Sequence, residues 1–537
     1  MRLLIARRPL AWNGPLVTLL GFAVAVLIGL SLMWLSPLEG IAFVGLLAAG
    51  LGTLIEPFVG LGVALFLGPL KAYLSAEVPR IPPQIGHAFI ALALASWIMR
   101  GLSRRDLRIG HSPLLLPLLG FLGVALLSLC DAIGLTSYGI PELIKWVQIL
   151  LLFTFVGEHL SAGAVSLPWR SKPDRHPSGR KAQTGCVLGR LRGLVIVLLA
   201  VGLFQAGVGI WQFGLRGEGP EHFAILGGDF FRAYGTFEQP NPYAGYLGLT
   251  AALALGIVAE ATRNGWAEWY TRRLRGEGAS RPPTHPSVCQ STRLPMYVLG
   301  GGAAGAMLFS IGASWSRGAW IGFAAAVLAI TAALPRRSIW GIVLVGALII
   351  GGAALYASGW LPVSFTARLT SFVQDIRFED VRGIPINDAN YAVIERLAHW
   401  QAALSMLRHD LWTGIGFGCY EAAYPSFALI NWPIALGHAH NYYLNLAAET
   451  GLIGLTGYLF LWGIVFWHTW RVTRRARGLA RGLGIGLLGA WTHLSVHHLL
   501  DNLYVNNVHL HIGVMLGLLA FLIWQTPQVN LTHERQA

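Results

Sequence analysis

Apolar residues run along this chain in fourteen long blocks, each closed by a cluster of polar, Gly or Pro positions. About 20 residues of helix cross the hydrocarbon core of a bilayer, fewer when the helix stands upright, so blocks of this length predict membrane spans. They are Pro15–Leu35, Ile41–Ile55, Phe58–Leu70, Gly86–Ile98, Pro113–Leu129, Ile140–Val156, Leu194–Phe213, Tyr243–Ala259, Met296–Ala313, Ala319–Leu334, Ile339–Ala357, Leu444–Trp467, Gly482–Leu499 and Val508–Trp524. Only Glu56 and Pro57 interrupt residues 41–70, which read as two short spans or as one re-entrant hairpin. The fold class is all-α, a polytopic membrane helix bundle of about 12–14 spans.

The basic residues test the count, because Lys and Arg gather in cytoplasmic loops. Arg2, Arg7 and Arg8 precede the first span, and Arg100, Arg104, Arg105 and Arg108 follow the fourth. Arg170, Lys172, Arg175, Arg180, Lys181, Arg190 and Arg192 follow the sixth, and Arg272, Arg273, Arg275, Arg281 and Arg293 the eighth. Arg336 and Arg337 follow the tenth, and Arg471, Arg474, Arg475, Arg477 and Arg481 the twelfth. All fall on one side, which makes both termini cytoplasmic and the first block an uncleaved anchor.

Composition agrees. Only 12% of the residues are charged, 54% are hydrophobic and the mean hydropathy is +0.56, which excludes an ordinary cytosolic enzyme. The net charge of +14 sits between the apolar blocks as a topology signal, so no nucleic-acid partner is expected. Cys130, Cys186, Cys289 and Cys419 lack the spacing of a disulfide framework or a zinc site.

Two outer segments exceed a short turn: Gly214–Asn241 and Ser358–Asn441. The chain divides accordingly into an N-terminal bundle (1–213), a central membrane region with the first outer loop (214–357), a large outer loop (358–443) and C-terminal membrane helices (444–537). Within the large loop, Ile394, Leu397, Ala398, Ala402 and Leu404 have the spacing of an amphipathic helix over Tyr391–Arg408, suited to a lid or to the lipid headgroups. Gly414, Gly416 and Gly418 end it and lead to His438-Ala439-His440.

The outer-side residues able to do chemistry are Arg232, Arg317, Arg396, His440 and Asp501. Arginine suits a diphosphate because its planar fork offers several donors and stays charged. Each also has a plainer reading: Arg317 snorkelling beside Trp315 and Trp320, Arg232 paired with Asp229 or Glu238, and Arg396 on a solvated helix face. His440 at a span entrance is a general base near neutral pH or an interfacial hydrogen bonder. His438, His440, His493, His497, His498 and Asp501 offer a metal set, but without an HExxH spacing no metal and no cofactor is expected. Glu142 and Lys145, three apart on one helix, neutralise each other.

His440-Asn441, nine residues, then Gly451-Leu452-Ile453-Gly454 resembles the signature of the O-antigen ligase and polymerase superfamily. Gly235-Thr236-Phe237-Glu238-Gln239-Pro240-Asn241, Ser316-Arg317-Gly318-Ala319, and Arg396 to Trp400 before Gly414-Ile415-Gly416 resemble its other landmarks. The superfamily holds ligases, glycan polymerases, protein O-oligosaccharyltransferases and proteins once labelled bicarbonate transporters. The resemblance implies a metal-independent GT-C-type glycosyltransferase that takes a glycan from undecaprenyl diphosphate at the outer side of the cytoplasmic membrane. The acceptor would be a glycan, a lipid A core or a protein hydroxyl. By position, Arg232 and Arg317 would hold the diphosphate, with Arg396 and Asn441 lining the substrate site. His440 would activate the acceptor and Asp501 would match an acidic position beside it. His438, out of register with this motif, is expected to matter much less. The rival class is a transporter, though the loop before His440 has no counterpart in the N-terminal half, as an inverted repeat would require.

Overall fold

The computed structural model describes residues 36–78, 81–105, 112–130, 132–162, 177–274, 293–370, 380–387 and 390–526. The span Pro15–Leu35, both termini, Cys289 and the loop positions Arg108, Arg170, Lys172, Arg175, Arg275 and Arg281 lie outside the described residues. Seventeen α-helices form among those described. In chain order they are α1 Pro37–Ile55, α2 Pro57–Leu67, α3 Lys71–Glu77, α4 Ile85–Arg104, α5 Leu115–Leu127, α6 Ile140–Ala162, α7 Pro177–Ile210, α8 Pro240–Leu274 and α9 Arg293–Ala313. There follow α10 Arg317–Ala333, α11 Ser338–Ala357, α12 Val363–Thr370, α13 Tyr391–His409, α14 Tyr420–Ala423, α15 Tyr442–Arg475, α16 Gly478–His497 and α17 Val508–Gln525. A short antiparallel hairpin, β1 Ala224–Ile225 with β2 Phe230–Phe231, is the sheet.

The protein is thus an all-α, multi-pass membrane bundle, with a helix at each predicted run that lies among the described residues. Among the described residues, seven helices are long and apolar enough to cross a membrane, or eight if α2 and α3, bent by 62°, make one span. Glu39–Ile55, Leu115–Leu127, Gly300–Ala313 and Arg317–Ala333 are shorter apolar helices. Residues 41–70 resolve into two helices packed on each other, because Pro57 has no amide hydrogen to continue α1 and Glu56 before it is extended.

The centre of the bundle is α8, α16 and α17. Within α17, 83% of the residues are buried, against 6% of α11, whose apolar surface faces outward as a lipid-facing helix does. α8 packs on α16 through glycines: a Cβ on Gly256 would stand 2.1 Å from the backbone N of Gly486. Small residues let two backbones approach where lipid supplies no hydrophobic drive. α16 departs from the apolar pattern because its polar side chains, Arg481, His493 and His497, all turn inward. Arg481, read from sequence as a loop charge, is fully buried; it pairs with Glu260 of α8 and donates to Thr473 O, Ala333 O and Leu334 O. The predicted Glu142–Lys145 pair forms at 2.5 Å.

The large outer loop is packed rather than extended over the bundle. α13 buries Val393, Ile394, Leu397, Ala398, Ala402 and Met406 against α15, Tyr420, Tyr424 and Trp432, so its apolar face is occupied by protein and not by headgroups. Leu404, placed on that face by spacing, is half-buried.

Candidate functional site

The first outer loop builds the turn that carries Arg232. Gln212 Oε1 accepts from the amides of Tyr234 (3.1 Å) and Gly235 (2.7 Å), and Gln205 Oε1 accepts from that of Thr236 (3.2 Å). Thr236 Oγ1 donates to Pro69 O at 3.0 Å, tying the same turn to the link between α2 and α3. Gly235 has a φ of +56°, and a Cβ there would stand 2.4 Å from Tyr243, so the turn requires glycine. Arg232, fixed by its backbone amide to Phe223 O, sends Nε to Ser314 O at 2.9 Å and Nη2 to Asn241 Oδ1 at 3.4 Å. Its partners are therefore not Asp229 or Glu238.

Arg317 stands at the first position of α10, where Ser316 caps the helix by accepting from Ala319 N and Trp315 before it takes a φ of +55°. A guanidinium at a helix N-terminus adds positive charge to the positive end of the dipole, an arrangement that an anion would relieve. Trp320 is held by Ile311 O and by stacking on Phe365, at 4.6 Å between centroids. Arg368, which sequence reading missed, reaches the same turn from α12 and donates to Trp315 O at 3.4 Å. Burial first, and then the charges of Arg368, Arg396 and Arg317, disfavour the charged form of Arg232. Four arginines from four segments thus share one electrostatic neighbourhood.

The second group lies beside the start of α15. His438 Nε2 stands 3.6 Å and His440 Nδ1 3.8 Å from Asp501 Oδ1, distances of ion pairing rather than of direct hydrogen bonds. Tyr442 N donates to His498 O at 2.8 Å, which joins the start of α15 to the end of α16 and brings Asp501 to the histidines. His399 of α13 meets His440 edge to face at 5.9 Å. His440 has a φ of +51°, costly for a side chain of its size and held by surrounding contacts. Neither of its ring nitrogens has a hydrogen-bond partner among the described residues.

His438 is locked in one tautomer. Its Nδ1 accepts from the backbone amide of His440 at 3.0 Å, so the neutral ring carries its proton on Nε2, the atom that faces Asp501. Burial, only partly offset by Asp501, lowers His438 to about 4, with His440, His399 and Arg396 lowering it further. Burial also works to raise Asp501, but its contact with His440 and the imidazoles of His438 and His497 outweigh this and hold the carboxylate ionised. Ligand atoms of His438, His440 and Asp501 all lie within 4.8 Å of one another, close enough for a metal ion. A metal on His438 Nε2 would displace that proton to Nδ1 and cost the bond from His440 N, so the locked tautomer disfavours it.

Asn441, expected to line the substrate site, has a structural task as well. Its side-chain oxygen caps α15, accepting from Tyr443 N at 3.0 Å and Leu444 N at 3.1 Å. Ten residues on, Gly451 breaks α15 with φ +63° and ψ −168°. There the Gly414 loop inserts: Ile415 N donates to Ala448 O, Gly416 N to Glu449 O, and Leu452 N to Leu411 O. The sequence spacing from His440 to Gly454 therefore describes a capped helix broken to receive a loop. His493, from the other half of the sequence's metal set, hydrogen-bonds to Gly245 O at 3.0 Å inside the bundle.

Residues 302–459 match the O-antigen ligase family, a region that carries Arg317, Arg368, Arg396, His438 and His440 and stops short of Asp501. The chain's resemblance to O-antigen ligases and polymerases is thereby supported, and with it an O-antigen ligase or polymerase type of function in general. No curated protein in the comparison matches the chain.

Proposed function

We propose that this membrane enzyme transfers a glycan from undecaprenyl diphosphate to an acceptor hydroxyl at the outer face of the cytoplasmic membrane, with both termini inside. One observation supports the reading: a single helix, α13, carries both Arg396, whose charge bears on Arg232, and His399, whose ring meets that of His440 at 5.9 Å, so the cationic group and the histidine-carboxylate group flank the same helix. The cationic end suits a leaving diphosphate, which needs charge stabilisation more than it needs protonation. His440, unpartnered at both ring nitrogens, is the base.

In this reaction the acceptor oxygen gives its proton to His440 and forms a bond to the anomeric carbon. The bond from that carbon to the phosphate oxygen breaks, and its electron pair leaves on the diphosphate, held by Arg232, Arg317 and Arg396. A single displacement of this kind inverts the anomeric centre. Asp501 faces the imidazolium as it forms, and the charge pair costs little because the carboxylate is already ionised. No metal or cofactor takes part. The acceptor is a second glycan, a lipid A core or a protein hydroxyl.

The test is transfer of a labelled glycan from its polyprenyl diphosphate by the purified protein in detergent, with a chelator present. His440→Ala should lower turnover about a hundredfold to ten-thousandfold. Activity abolished by the chelator would instead assign His438, His440 and Asp501 to a metal. If wild-type protein consumes no donor, while vesicles holding it accumulate an anion in a His440-dependent way, the protein is a transporter.

A further inference from the structure

α12 is an eight-residue helix of the large outer loop that sequence reading left without a task. Phe365 and Arg368 are three residues apart and so share a face. Phe365 stacks on Trp320 at 4.6 Å, which sets the helix's rotation and delivers Arg368 to the turn before α10. There Arg368 Nη2 donates to Trp315 O at 3.4 Å, while Arg232 Nε donates to Ser314 O at 2.9 Å. Two guanidiniums from segments over a hundred residues apart are thus anchored on the consecutive carbonyls of Ser314 and Trp315, in the turn that leads to Arg317.

Arg368 is under-used in that position. Its Nε is buried without a hydrogen-bond partner, although a guanidinium has five donors. Among the described residues no carboxylate pairs with Arg232 or Arg368. Holding two half-buried like charges against the same turn is costly unless an anion joins them. A diphosphate, with charge spread over two phosphoryl groups, can accept from several forks at once.

We infer that Arg368 is a further arginine of the donor site, contacting the diphosphate of the lipid-linked glycan, so that the outer loop completes the site through α12. This rests on the glycosyl-transfer reading. Its consequence is that donor affinity depends on the outer loop, a segment that sequence motifs tie to the acceptor base.

The experiment uses the full chain purified in detergent, with inorganic pyrophosphate as the probe, read both by calorimetric binding and by inhibition of transfer. Arg368→Ala should weaken pyrophosphate binding about ten- to a hundredfold and raise KM for donor in step, with a smaller change in kcat. Arg368→Lys, which keeps the charge and loses the fork, should fall between, and it decides the matter if the alanine variant does not fold. Phe365→Ala, which leaves the guanidinium and removes its anchor, should also weaken binding. Arg368 variants that bind pyrophosphate as the wild type does, while Arg232→Ala does not, would overturn the proposal and leave the transfer reading standing. Wild-type protein that binds no pyrophosphate, with Arg232→Ala fully active, would remove both.

Discussion

His438 and His440 are two residues apart and differ in what their ring nitrogens do. His440 presents two unsatisfied nitrogens, whereas His438 uses one to hold the His440 backbone and turns the other towards Asp501. The geometry therefore gives His438 more to do than its register in the sequence motif does. We expect His438→Ala to lower kcat, though less than His440→Ala, and His438→Asn, whose Oδ1 stands where Nδ1 stood, to recover part of it by accepting again from the His440 amide. Equal activity of His438→Ala and wild type would remove His438 from the site. The arginines make a second prediction at this scale. Arg317→Lys and Arg232→Lys keep the charge but lose the planar fork, so glycan transfer should fall sharply at normal protein level. Full activity of both would make them topological anchors only.

At the scale of elements, the decisive contact is the insertion of the Gly414 loop into the break in α15. A Cβ on Gly451 would stand 2.2 Å from the Trp412 carbonyl group, and its φ and ψ belong to a region that only glycine enters readily. Gly451→Ala should destabilise the protein by about 2 kcal/mol or more and loosen the loop that leads to His440. A melting temperature within a degree or so of wild type in detergent would show that the break is not required. Gly414, Gly416 and Gly418 read in the sequence as a turn-forming run that ends the preceding helix, and Gly451 and Gly454 stood out through the resemblance to the family signature. That the two groups of glycines meet was not readable there, since more than thirty residues of chain separate them.

The whole molecule adds a pH dependence. Burial lowers both His438 and His399 to about 4 from an ordinary value near 6.5, with His440 contributing in each case. Both are then neutral in the folded protein, while the unfolded chain takes up their protons first as the pH falls. Stability should be full above about 6.5 and decline as the pH is lowered towards about 4. Melting curves across that range check it, and His399→Gln with His438→Gln should flatten the decline; a flat wild-type profile would contradict it. Orientation is tested by cysteine labelling at exposed positions. Ser103→Cys and Ser338→Cys should react only from the cytoplasm, and Ser358→Cys and Ser426→Cys only from outside. Labelling of Ser426→Cys from the cytoplasm would move the whole site to the other face.

What the sequence determined by itself is the membrane bundle, the helix positions and the chemistry-bearing residue types. Apolar run length and the one-sided basic loops depend only on neighbours along the chain and on the lipid they must meet. It also marked Arg232, Arg317, Arg396, His440 and Asp501, because a charge or imidazole at a span end is expensive enough to stand out. Tertiary structure alone decided what those residues face. It made Asn441 a helix cap, turned Arg481 into a buried ion pair, and brought Gln205 and Gln212 beneath the Arg232 turn. It brought Arg368, whose local sequence carries no unusual signal, to the turn before Arg317, and set His438 against the His440 amide. The reason is physical: a solvated arginine and a site arginine have the same local pattern. They differ only in whether folding brings a carboxylate or another cation to them, and that depends on contacts across hundreds of residues.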